Sequence, residues 1–191
     1  MPHQSYLFYD TETTGLNPCF DQVIQFAAIR TDMDFNILSE DEFYIALNPD
    51  VIPSPHAFAT HRISIAECQQ GLSEVEAMKR IHRMLNEPHT INIGYNTLGF
   101  DDEVLRFGFF RNLLPPYNHQ FAQGCYRIDI YPITVMYYLY HNQSLNWPII
   151  NDKVSLKLEH LSQANQLATG QAHQALVDVR ATIALTKKLA S

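Results

Sequence analysis

The spacing of hydrophobic and polar positions changes period several times along this chain, and each change predicts an element. The opening run, YLFYDTETTGL from Tyr6 to Leu16, begins apolar and ends on two acids, which predicts a strand. QVIQFAAIRTD (Gln22 to Asp32) and FNILSEDEFYIAL (Phe35 to Leu47) read as two more strands, with a polar turn at Met33 and Asp34. Three strands in succession predict an antiparallel meander. Pro49, Pro53 and Pro55 then predict an extended loop. Ser64 with Glu67, and Ser73 with Glu76, fit the S-x-x-E capping box, so two helices start there. In the second of them Val75, Met78, Ile81 and Leu85 recur at helical spacing and predict one buried face.

TINIGYN (Thr90 to Asn96) predicts a short apolar strand, followed by a helix opening at Asp101 or Asp102, where acids suit the positive end of the helix dipole. A further strand and helix run through Ile128 to Tyr140. SLKLEHLSQANQL and HQALVDVRATIALTKKLA predict the last two helices. Strands first, then strands alternating with helices, imply an α/β or α+β domain with a mixed sheet flanked by helices. No linker composition divides the chain, and 191 residues are enough for one domain with its own core.

Composition narrows the function classes. No segment approaches the ~20 apolar residues of a membrane span, and the N-terminus has no signal-like pattern, so a soluble, cytoplasmic protein with no membrane partner is expected. Cys19, Cys68 and Cys125 are odd in number and form no C-x-x-C pair, which argues against disulfides and a zinc site. The net charge of −7 is a poor footprint for a protein that coats nucleic acid by charge alone, yet it suits an enzyme whose acids hold divalent cations.

Three places carry candidate chemistry. Asp10 and Glu12 are one residue apart on a strand, so their side chains share a face, where like charges repel. Read alone, the pair also fits a solvated strand end. Asp178 falls at the edge of the core-facing stripe formed by Ala175, Leu176, Val179, Ile183 and Thr186 on the last helix, and a carboxylate there needs a partner. His173, at or before that helix's start, could point into a cleft or simply cap the helix. Asp101 and Asp102 open another helix, and both fit plain N-caps.

The order Asp10-x-Glu12, then Asp101, then His173-x₄-Asp178 resembles the DEDDh family of 3′→5′ exonucleases. The strings YDTETTGL, GYNTLGFDDEV and AHQALVDVRATIAL, with QFAAIRTD and LNWP, extend the resemblance through most of the chain and are similar to the exonuclease I branch of that family. The resemblance implies a ribonuclease H-like fold, a mixed five-stranded sheet flanked by helices. It implies a single exonuclease domain over residues 1–191, with the further domains of exonuclease I enzymes expected to be absent. Carried over residue by residue, the metal-binding acids fall on Asp10, Glu12, Asp101 and Asp178, and the general base on His173. Asp101 is selected over Asp102 because the family's acid follows the phenylalanine. Arg106, Tyr117 and Lys157 match positions that contact the nucleic-acid strand, Glu12 is counted with the substrate-binding residues, and Phe100 could stack on a terminal base, although core packing is the plainer explanation of such an aromatic. Lys157 stands where arginine occurs in the family, and Arg62 where glycine is common.

The chemistry so implied is hydrolysis of single-stranded DNA from its 3′ end to nucleoside 5′-monophosphates, with two Mg²⁺ ions per site and Mn²⁺ as substitute. A cation between Asp10 and Glu12 would relieve their repulsion. An exoribonuclease acting on short RNA, of the oligoribonuclease or RNase T type, is the enzymatic alternative, and a non-catalytic nucleic-acid-binding module is the other. Implied partners are a single-stranded DNA 3′ end, RNA in the alternative, and a single-strand-binding protein or the further exonuclease I domains.

Overall fold

The computed structural model describes residues 4–168 and 174–190. A five-stranded mixed sheet in the order β3-β2-β1-β4-β5 forms the centre, built from β1 (Ser5–Thr13), β2 (Val23–Thr31), β3 (Ile37–Tyr44), β4 (Thr90–Gly94) and β5 (Tyr126–Asp129). The first three strands form the predicted antiparallel meander, while β4 adds parallel to β1 and β5 parallel to β4. β1 therefore lies in the middle, hydrogen-bonded to an antiparallel neighbour on one side and a parallel one on the other.

Among the described residues the α-helices are α1 (Pro55–His61), α2 (Ile65–Gln69), α3 (Glu74–Leu85), α4 (Asp101–Arg111), α5 (Ile130–Tyr140), α6 (Leu158–Asn165) and α7 (Ala175–Ala190). Alternation along β1 divides them between two faces. Leu7 and Tyr9 pack with Met78, Ile81 and Leu85 of α3 and with Val104, Leu105 and Phe109 of α4. Phe8 packs on the other face with Ile130, Leu161 and the α7 residues Val179, Ile183 and Leu185. Burying these apolar side chains at roughly 25 cal/mol per Å² is the main force holding helices to both faces. No helix among the described residues is long and apolar enough to cross a membrane.

Both capping boxes form: Ser64 and Glu67 bond reciprocally at the start of α2, as do Ser73 and Glu76 at the start of α3. Other expectations need correction. Pro55 does not lie in an extended loop but starts α1, where a missing N–H costs nothing. Val75 is 48% exposed, and Ala77 takes the expected place in the buried stripe of α3. α6 begins at Leu158, later than the apolar pattern suggested, because Ser155 to Lys157 are extended and tied elsewhere. The Ser155 amide bonds the Pro148 carbonyl, and the Ser155 hydroxyl meets His160 Nδ1 at 2.7 Å. A two-stranded hairpin, β6 (Ile149–Ile150) and β7 (Lys153–Val154), precedes it.

Candidate active site

The site lies where β1 and β4 diverge at their C-terminal ends, the crevice in which open α/β sheets usually bind ligands. β1 pairs with β4 only as far as Phe8, and beyond that point Asp10 and Glu12 project from its face toward α7. A bulge follows between Glu12 and Thr13, a device that re-aims side chains at the end of a ladder. Asp178, in the first turn of α7, completes a group. One carboxylate oxygen from each of Asp10, Glu12 and Asp178 lies within 4.8 Å of the others.

Asp101 approaches from the opposite layer. It lines the same cavity of about 610 Å³ as Asp10, Glu12 and Asp178, but stands outside that tight group. The Thr11 hydroxyl donates to its Oδ1 at 2.5 Å. The loop leading to it is fixed by Asp129, whose carboxylate accepts the amides of Asn96 at 2.7 Å, Leu98 at 3.1 Å and Tyr131 at 2.9 Å. Asp102 points elsewhere, accepting from the Tyr9 hydroxyl and from Arg127 Nη1 at 2.7 Å. Neither acid acts as an N-cap: Phe100 occupies that position, with no side-chain cap.

Crowding of these acids shows in their protonation. Burial, then the charges of Asp101, Asp178 and Glu12, hold the Asp10 carboxyl well above the usual carboxylate range. Burial, with Asp178 and Asp101 nearby, pushes Glu12 up to about 8. Asp101 is pushed up to about 7, chiefly by burial and against the Thr11 hydrogen bond. A set of close, hard oxygen donors whose negative charge is disfavoured by its own surroundings fits a divalent cation, which would favour the charged form of each.

A second cavity, of about 450 Å³, opens on the other side of Glu12 and shares Thr11, Glu12 and Phe100 with the first. Its wall is mostly apolar or small, including Gly15, Leu16 and Ala57, with His56 and His61. A Cβ on Gly15 would lie 2.6 Å from an Asp21 carboxylate oxygen, so a larger residue would push that side chain off its bonds to Thr14 and the Asn17 amide. Phe100 stands at the division between the two lobes and also packs on the core.

Among the other residues singled out by sequence, Lys157 lines the larger cavity. Arg106 and Tyr117 are brought together, Nη1 donating to the phenol oxygen at 2.7 Å, but neither lines either cavity. Arg106 also pairs with Glu103 one turn earlier on α4. His173 lies outside the described residues. Sequence reasoning missed Tyr95 and Tyr131, which meet edge to face with ring centroids 5.6 Å apart on the wall of the larger cavity. Each follows a strand by one or two residues, where side chains reach the sheet's end, and that position was the available signal.

A mixed five-stranded sheet in this order, with carboxylates gathered at the end of its central strand, defines a ribonuclease H-like domain with an acidic centre. An exonuclease family model, that of RNase T, matches residues 7–186, and the chain belongs to this exonuclease family. Exodeoxyribonuclease I of Haemophilus influenzae is 39% identical over 186 residues, which cover 96% of this chain and 39% of that protein. The crystal structure of Escherichia coli exonuclease I in complex with a dA16 oligonucleotide superposes with a TM-score of 0.92 at 37% identity, over 97% of this chain and 40% of that one. The zinc-bound form of the E. coli exonuclease I complex with single-stranded DNA gives 0.94 at 36%, over 98% and 40%. The chain spans about 39% of the length of the curated relative it matches.

Proposed function

We propose that residues 1–191 form a metal-dependent 3′→5′ exonuclease domain that hydrolyses single-stranded DNA to nucleoside 5′-monophosphates. The observation that carries this reading is the convergence of Asp10, Glu12 and Asp178, with Asp101 on the same cavity wall, beside a two-lobed cleft. Relatives named exodeoxyribonuclease I and solved with single-stranded oligonucleotides support the choice of substrate.

In this reading Asp10, Glu12, Asp178 and Asp101 hold two divalent cations, Mg²⁺ with Mn²⁺ as substitute. When bound, such ions lower the pKa of the attacking water and neutralise charge on the phosphodiester. The chain's own groups do the rest. His173 accepts a proton from the attacking water on a ring nitrogen, a role typically worth roughly 10²–10⁴ in rate. Water oxygen bonds to phosphorus as the bond to the preceding 3′ oxygen breaks, and that oxygen is protonated as the new 3′ hydroxyl. Lys157 neutralises a backbone phosphate as a point charge. Phe100 and Glu12, present in both lobes, orient the terminal nucleotide, while Arg106 of α4 and its partner Tyr117, beyond the end of that helix, meet the strand farther out.

Labelled single-stranded DNA and RNA of equal length, incubated with Mg²⁺ and with EDTA, test the reading. Mononucleotide release from DNA, blocked by EDTA and faster than from RNA, is the expected result. Faster release from RNA would move the assignment to an exoribonuclease, and no release under any divalent cation would overturn it.

A further inference from the structure

Asp10 and Glu12 share one face of β1, and the alternate residues Tyr9 and Thr11 point to the other. Each of those two alternate residues reaches an acid on α4: Thr11 bonds Asp101 and Tyr9 bonds Asp102. Two successive rungs of one strand thus grip two successive residues of one helix turn.

Asp102 is the firmer of the two anchors. Only 2% of it is exposed, and both carboxylate oxygens are used, Oδ1 by Tyr9 and Oδ2 by Arg127 of β5 at 2.7 Å. Charge-assisted bonds of this kind are roughly twice as strong as neutral ones, and the guanidinium supplies the countercharge that a buried carboxylate needs. α4 has no side-chain N-cap to define where it starts. Phe100 offers no side-chain cap and sits at φ −146°, ψ −68°. The position of the first turn, and with it the direction of Asp101, is therefore set by tertiary bonds.

We infer that Asp102, held by Tyr9 and Arg127, is a positioning residue that fixes where Asp101 presents its carboxylate to the acidic centre. This rests on the reading of Asp101 as a cation-holding acid. Asp102 touches neither cation nor substrate. It ties β1 and β5 to the turn from which Asp101 projects, so losing it frees that turn to shift while the helix remains packed through Val104, Leu105 and Phe109.

Tyr9→Phe and Asp102→Asn in the full chain test this. The Tyr9 ring stacks on Phe26 with centroids 6.2 Å apart, so the phenylalanine variant should fold. Outer-sphere partners in metal sites typically contribute 10–100-fold in metal affinity or activity. Both variants should lower kcat for a labelled single strand by roughly tenfold or more, with KM within twofold of the parent. Calorimetric titration of Mn²⁺ should show the cation's binding weakened by a similar factor, and the double variant should be no worse than Asp102→Asn alone. Thermal melts confirm that each is folded. If both folded variants bind Mn²⁺ and turn over substrate within twofold of the parent, the inference fails. If the parent itself cleaves nothing, the exonuclease reading fails separately, and Mn²⁺ affinity alone decides: weakened binding in both variants supports the positioning role, and unchanged binding overturns it.

Discussion

Asp10, on the first strand, and Asp178, on the last helix, bring carboxylate oxygens within 4.8 Å of each other and of Glu12. Two such groups repel, and burial sharpens the repulsion. Asp10→Asn or Asp178→Asn should lower hydrolysis by at least about 10²-fold, because a bound cation contributes several kcal/mol to such reactions. The same substitutions should leave metal-free stability unchanged or raised, since each removes one member of a repelling group. Single-turnover rates in excess Mg²⁺, alongside melts in EDTA, check both halves. Parent-like turnover by either variant would contradict the metal assignment.

His119 offers a pH test at a residue that lines neither lobe of the cleft. It is 1% exposed, neither ring nitrogen has a hydrogen-bond partner among the described residues, and burial lowers its pKa to about 4. Between the ordinary histidine value of about 6.5 and about 4 the unfolded chain binds a proton that the folded one does not, so stability rises with pH across that window. The contribution is complete above about 6.5 and is lost as pH falls toward 4, amounting to up to roughly 3 kcal/mol. Urea unfolding at pH 4.5 and pH 7 should show a larger drop for the parent than for His119→Leu. Equal drops would mean that His119 is not held neutral.

Among the described residues that line the two lobes, Lys157 is the only lysine or arginine. Phosphate contacts supply most sequence-independent affinity, about one counterion released per contact. This chain alone should therefore bind single strands weakly, with a shallow salt dependence, and release them after one or a few cleavages. Lys157→Ala should raise KM more than it lowers kcat, and so should Arg106→Ala. A labelled strand chased with excess unlabelled competitor reads this directly: degradation to completion under the trap would contradict it.

Gly71 packs its backbone against that of Tyr44 and Ile45, beside the bridge between Ile45 and Leu72. A Cβ there would lie 2.4 Å from the Tyr44 carbonyl. Backbone cannot swing away as a side chain can. Gly71→Ala should cost roughly 1–3 kcal/mol, the range for overpacking, visible as a lower urea midpoint at unchanged slope.

Local chemistry made much of this fold readable. The two S-x-x-E boxes each start a helix because the signal and the bond it forms lie within four residues. Where distant groups decide, the pattern misled. Ser155 to Lys157 carry a helix-like pattern yet stay extended through bonds to Pro148 and His160. The β6–β7 hairpin escaped because its strands are two residues each, although Asn151 and Asp152, both at positive φ, form the turn that such residues favour. The acids were legible as a set from motif order, but their geometry was not. Apart from the family's order of phenylalanine then acid, nothing local tells Asp101 from Asp102. The hydroxyls of Thr11 and Tyr9, on a strand some ninety residues earlier, give the two acids different directions.

The acidic centre gathers carboxylates that lie far apart in the sequence, Asp10 and Glu12 on β1 and Asp178 on α7. A ribosome making this protein exposes the first pair long before the last member exists. Until α7 has left the exit tunnel and docked on the sheet, the nascent chain lacks one of the three carboxylates that meet in the folded domain, and the mutual repulsion that burial sharpens there does not yet exist.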